Sequence, residues 1–231
     1  MYNLDYLHIS NKKFKNQQRE FLVKEGLQVF IKDKITNGIS LKSVLDTASS
    51  YIPSHLFSEI DSIYVGLFDD FEKKETNAAY KDGAIYISNE QENEQDLIDD
   101  FVHEVAHSLE APYGYLIYGD GKLKEEFLSK REKLYEVLES EGLNPSLDLF
   151  KNTEYDLQMD NYLYKEVGYD RLNFIVNSYS IFTSAYPTSL REYFASGFEY
   201  YFLEEPTYLA EICPILSDKI EELHYYDEHK N

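Results

Sequence analysis

Residues 93–112, NEQDLIDDFVHEVAHSLEAP, repeat apolar side chains at intervals of three and four: Leu97, Ile98, Phe101, Val102, Val105, Ala106 and Leu109. That period predicts an amphipathic helix whose stripe faces a core. Asn93, with Asp96 three residues on, supplies an N-terminal cap, and Pro112 is expected to stop the helix. The rest of the chain has to provide a cover for the stripe and an environment for the polar residues opposite it.

Around this helix the pattern changes twice. Upstream, "SIYVGLF" at 62–68 and "AIYIS" at 84–88 are β-branched and aromatic runs that predict strands, with Asp82-Gly83 as a hairpin turn before the second. Residues 16–34 carry Phe21, Leu22, Leu27, Val29, Phe30 and Ile31 among charges and predict an amphipathic helix closing near Asn37-Gly38. Shorter helices are expected near 40–50 and 53–60. Downstream, 122–141 (KLKEEFLSKREKLYEVLESE) predicts a charged helix ending at Gly142, with the stripe Leu123, Phe127, Leu134 and Leu138 and its charges on a solvated face. Residues 143–180 are polar, Tyr-rich and without a clear period. Helices are expected again over Ser189–Glu204 and Asp218–Tyr226. Helices, strands, then helices make an α+β plan.

With 231 residues and neither repeats nor low-complexity linkers, the chain is expected to form one two-lobed domain. The 22 Tyr and 14 Phe provide core material in spite of 28% charged residues. A formal charge of −21 disfavours nucleic acid and anionic membrane surfaces as partners; it would attract a basic peptide, although solubility is the simpler reading of the charge. Cys213 is the only cysteine, which excludes an internal disulfide and a Cys-based zinc site. The amino terminus lacks the pattern of a signal peptide, and no stretch approaches a transmembrane span, so a soluble cytoplasmic protein, or one exported by a route that leaves no mark in the sequence, is expected. A monomer is expected.

The chemistry lies within "VHEVAHSLE", residues 102–110. Residues four apart on a helix share a face, so His103 and His107 can offer ring nitrogens to one zinc ion. Glu104 lies about 100° around from His103, close enough to act on a water at that ion without ligating it. Zinc lowers the pKa of such a water to about 7, and a neighbouring carboxylate can take its proton and later pass it to a leaving amine. A catalytic zinc needs a third protein ligand. No histidine follows at the short metzincin spacing, and His8, His55, His224 and His229 read as ordinary surface or partly buried residues. "SLREYFASGFEYYF" at 189–202 offers Glu192 and Glu199, between which helix periodicity does not choose.

HEVAHSLE taken with "AYPTSLREYFASGFEYYFLEEPTYLAEICP" resembles the zinc peptidases of the anthrax lethal factor type, and especially the small clostridial Pro-Pro endopeptidases. The matching residues are His103, Glu104, His107 and Glu110; Tyr186-Pro187; Glu192, Tyr193, Phe194, Ala195, Phe198, Tyr200 and Tyr201; and Cys213-Pro214. The resemblance implies a zincin-like metallopeptidase fold: a small N-terminal sheet, the HExxH helix and a mostly helical C-terminal lobe. It also implies that Glu192 is the third ligand, which makes the site a gluzincin one. The lobes would be 1–112 and 171–231, with 84 residues between His107 and Glu192 accommodating a helical insertion over about 115–170 that flanks the cleft. Two positions depart from the family. Ser196 stands where an acid usually holds a zinc histidine. Ala185 stands where the family has its oxyanion tyrosine, leaving Tyr186, with Tyr179 behind it, as candidates. Zincins also bind extended substrate along a sheet edge just upstream, which here would be Ala84, Ile85, Tyr86, Ile87 and Ser88; the alternative for this run is an ordinary core strand.

The expectation is therefore a zinc-dependent endopeptidase with one zinc per chain and a peptide or protein substrate. The alternatives are an inactive zincin-fold binding or sensor protein, and an acidic interaction protein in which the motif is accidental.

Overall fold

A computed structural model describes residues 20–35, 38–68, 71, 76–182 and 187–227. The architecture is α+β, with a small mixed five-stranded sheet followed by a mostly helical remainder. The chain forms two compact units, residues 1–50 with 60–101 and residues 51–59 with 102–231.

The first unit holds β1 (Glu20–Leu22), β2 (Gln28–Ile31), α1 (Leu41–Tyr51, its last residue excepted), β3 (Ser62–Gly66), β4 (Ala78–Lys81) and β5 (Ala84–Ser88). Strand order is β1-β2-β3-β5-β4; β2, β3 and β5 run parallel, and each outer strand is antiparallel to its neighbour. Val29, Ile63 and Ile85 are in register and fully buried on one face. On the other face Phe30, Tyr64 and Tyr86 are in register and stack, with ring centroids 5.1 and 5.3 Å apart. β4 and β5 form the expected hairpin. Asp82 (φ 50°) and Gly83 (φ 82°) both take the left-handed conformation that a two-residue turn of this type requires.

Two expectations fail in this unit. The predicted helix over 16–34 is, across its described residues, the β1–β2 hairpin, joined by a short 3₁₀ turn at Lys24–Gly26. Leu27 and Val29 are buried with the exposed Gln28 between them, an alternation of strand type that charged neighbours disguised as part of a helical stripe, and Gly26 at φ 80° breaks any helix there. The second failure is the peptide-binding edge at Ala84–Ser88. β5 is hydrogen-bonded to β3 on one side and β4 on the other, so it has no free edge to offer. Among the described residues the open edge on that side belongs to β4.

α2 (Glu94–Tyr118) begins in the first unit and continues in the second, which also holds α3 (Lys122–Ser140), α4 (Leu147–Lys151), α5 (Leu157–Asn161), a π-helical turn at Tyr162–Val167, α6 (Tyr169–Ser178), α7 (Leu190–Leu203), α8 (Pro206–Ile212) and α9 (Pro214–His224). The helix expected over 53–60 is only a 3₁₀ turn at Ser54–Phe57. The predicted stripe of α3 is buried, and Gly142 at φ 79° ends the helix, with Leu143 N–H returning to the Leu138 carbonyl.

Pro112 does not stop α2, which continues for six more residues. Pro removes one backbone donor and costs about 3 kcal/mol in a helix interior. The buried Ile117, the Tyr118 hydroxyl bonded to Glu110 and the Leu116 carbonyl bonded to Lys219 Nζ (2.7 Å) tie down the turns beyond it. The face of α3 is also not wholly solvated. Glu126, Lys130 and Arg131 turn toward the protein and make bonds described below.

Candidate metal centre

Up to Pro112, α2 is built as its sequence predicts. Asn93 Oδ1 accepts from the N–H groups of Gln95 (2.8 Å) and Asp96 (3.0 Å), and Leu97, Phe101, Val102, Val105, Ala106 and Leu109 are fully buried. Burying that stripe presents His103 and His107 together on another face, with ring centroids 5.0 Å apart. α7 starts at Ser189, whose hydroxyl accepts the Glu192 N–H at 3.2 Å. The cap leaves the Glu192 side chain free to reach out from the first turn.

The two helices meet through that side chain. His103 Nε2 donates to Glu192 Oε2 at 3.0 Å, and His107 Nε2 lies 3.5 Å from Glu192 Oε1. One ligand atom from each of these three residues lies within 4.8 Å of the others. Tetrahedral zinc, with bonds of about 2.0–2.2 Å, needs donors roughly this close and of this kind. The group therefore has the geometry to hold a metal ion.

The far side of each ring is also held. His103 Nδ1 donates to Glu199 Oε2 at 3.3 Å and His107 Nδ1 donates to Glu110 Oε1 at 2.7 Å. A carboxylate on Nδ1 fixes both the ring plane and the tautomer, and leaves the Nε2 lone pair to face a metal. Glu110 is itself held, accepting from Arg191 Nε (2.6 Å) and the Tyr118 hydroxyl (3.3 Å). Both roles of α7's two glutamates thus follow from which nitrogen of His103 each one meets.

The electrostatics follow from the same contacts. Burial lowers the pKa of His103, but Glu192 and Glu199 outweigh it and raise it to about 10. His107 is likewise penalised by burial and raised to about 9 by Glu110 and Glu192. Burial pushes the Glu192 and Glu110 carboxyls up, yet their imidazolium partners, with Arg191 for Glu110, hold both below the usual carboxylate range. In the metal-free protein protons therefore occupy the Nε2 positions. Glu104 is buried at 7% exposure, and its charge acts on both histidines.

The remaining candidates fare differently. Tyr186 lies outside the described residues. Tyr179 follows α6 and is 46% exposed; its carbonyl accepts from Lys133 Nζ, and among the described residues no hydrogen bond or ring contact joins it to His103, His107 or Glu192. His55 donates from Nε2 to the Leu223 carbonyl (2.9 Å) and His224 packs among Tyr201, Phe202 and Tyr225, both away from the metal group, while His8 and His229 lie outside the described residues.

Sequence reading missed the part Glu199 plays. The signal was present, since Glu192 and Glu199 are seven apart and share a helix face about 10.5 Å long. Arg191 and Tyr118 behind Glu110 carried no such signal, because neither follows from spacing to the histidines. No protein-family model matches the chain, and neither curated proteins nor solved structures include a significant match to it.

Proposed function

We propose that the chain is a zinc metalloendopeptidase with a zincin-like fold and a gluzincin site: His103, His107 and Glu192 as metal ligands and Glu104 as general base. The observation that carries this reading is the convergence of both Nε2 atoms on Glu192 while Glu199 and Glu110 hold both Nδ1 atoms. A structural cluster of histidines has no need of that division between ring nitrogens. An accidental HExxH would not be answered by two carboxylates from a helix some 90 residues away, and a decayed site would not keep an acid on each outward nitrogen.

A bound zinc ion supplies Lewis acidity toward water and toward a peptide carbonyl. Glu104, carried next to His103 on the rigid interior of α2, takes the proton of the attacking water and returns it to the leaving amine. Glu199 and Glu110 keep the imidazole planes aimed while this happens. Tyr186, immediately before Pro187 and the ligand helix, is the proposed donor to the oxyanion. The excess of acidic residues favours basic peptides near the site.

Two measurements test the reading. Purified protein should contain about one zinc per chain and lose it to a chelator; less than a tenth of an equivalent after metal-replete expression would leave only the acidic interaction protein standing. Wild type should cut members of a diverse peptide pool, and Glu104→Gln should keep zinc while cleavage falls by about 10²–10⁴. Equal cleavage by both proteins would remove Glu104 from the mechanism. Among the described residues no helix is long and apolar enough to cross a membrane.

A further inference from the structure

α3, the charged helix between the two halves of the metal group, grips the chain on both sides of Glu192. Arg131 Nη2 donates to the carbonyls of Pro187 (3.2 Å) and Thr188 (2.8 Å), immediately before the Ser189 cap. Glu126 Oε1 accepts from the hydroxyl of Tyr193 (2.8 Å), immediately after Glu192. The pairs 126–193 and 131–188 make α3 and the start of α7 antiparallel. The two grips are five residues apart on each segment, about 7.5 Å along α3.

Each grip is anchored in turn. Glu126 also accepts the N–H groups of Ile215 (2.8 Å) and Leu216 (3.1 Å), so α9 is tied to the same carboxylate. Arg131 is 1% exposed and lies 4.8 Å over the Phe127 ring; among the described residues it pairs with no carboxylate and its Nη1 has no hydrogen-bond partner. Burying an unpaired guanidinium is costly, and an apolar side chain would fill the space without that cost. What the arginine adds is a pair of donors to two successive carbonyls. Lys130 and Lys133 act likewise from the same helix, on Ile181 (2.8 Å) and Ile212 (2.6 Å) and on Tyr179 (2.7 Å).

We propose that Arg131 and Glu126 are positioning residues for Glu192, and that α3 is the strut holding the third carboxylate against His103 and His107. The proposal deepens the metal-site reading and takes its functional meaning from it. α3 would then govern how firmly the third ligand is held, a task that a solvated flap could not perform.

The test is amide hydrogen exchange on the metal-free full chain, joined to Co²⁺ titration. The Glu192 and Tyr193 N–H groups donate to Ser189 and report the first turn of α7. In Arg131→Met these two amides should exchange ~10-fold faster, with amides of α6 within ~2-fold of the parent. Arg131→Lys, which keeps a donor, should recover most of the protection. Leu134→Ala, a cavity in the same helix, should raise exchange across the unit without singling out this turn. If Arg131→Met does not fold, Tyr193→Phe, which removes one hydroxyl, is judged by the same readout.

Co²⁺ affinity should fall ~10-fold in Arg131→Met, and the effect should vanish in a Glu192→Ala background. Unchanged exchange at 192 and 193, a loss spread evenly over the chain, or an equal Co²⁺ effect with and without Glu192 would overturn the proposal. Absence of Co²⁺ binding by the parent chain would instead remove the metal reading, and the exchange experiment would still decide whether α3 positions Glu192.

Discussion

Glu199 Oε2 lies 3.3 Å from His103 Nδ1, on the side of the ring turned away from the metal group. This contact separates the roles of the two α7 glutamates, and removing each should have a distinct effect. Glu199→Ala should keep the site but weaken zinc about 10–100-fold, the usual loss for an outer carboxylate. Glu192→Ala should weaken it further, because the proposed third ligand itself is lost. Competition titrations against a chelator measure both; a larger loss in Glu199→Ala would exchange the assignments.

The pH dependence of the metal-free protein follows from the four groups around that pair. His103 and His107 are raised from 6.5 to about 10 and about 9, so their stabilisation is complete below pH 6.5 and is lost as pH rises through 9 and 10. Glu192 and Glu110 are lowered from 4.5, so theirs is present above pH 4.5 and lost as pH falls. Chelated protein should therefore melt highest between pH 4.5 and 6.5, with zinc affinity rising with pH above that window as protons leave Nε2. Thermal melts and zinc titrations across this range check it. A zinc affinity indifferent to pH between 6.5 and 9 would contradict the ion pairs.

Pro112 sits exposed inside α2, where it removes a helix donor. Pro112→Ala should stabilise the protein by up to about 3 kcal/mol, or several degrees in Tm. A lower Tm would mean that the proline shapes α2 in a way its packing requires.

Gly197 presents the opposite case. Helix propensity alone favours alanine by about 1 kcal/mol at a mid-helix position. A Cβ on Gly197, however, would run into the buried Leu216 side chain of α9. Gly197→Ala should destabilise by about 1–3 kcal/mol through overpacking. Adding Leu216→Val should recover part of the loss in urea melts; full stability of the single variant would show that α9 can move away at little cost.

Much of the candidate site was legible before any fold was known. The i, i+4 spacing of His103 and His107, the stripe from Leu97 to Leu109 and the Asn93 cap are local relations, complete within one helix. The same holds for the Asp82-Gly83 turn and the Gly142 stop, where backbone conformation is decided by one or two residues. The β1–β2 hairpin was not legible in this way. Apolar residues at 21–31 fit either period when charges lie between them, and pairing with β3, more than 30 residues on, selects the strand.

By itself, the sequence determined a helix that offers two imidazoles and a carboxylate, because helical spacing and capping act over a few residues. Tertiary structure alone decided which glutamate faces Nε2 and which faces Nδ1, since those contacts join residues 89 and 96 apart. It also decided that α2 runs through Pro112, that β5 has no free edge, and that Arg131 turns inward. Each of these depends on what another segment places alongside the residue, and no local spacing carries that information.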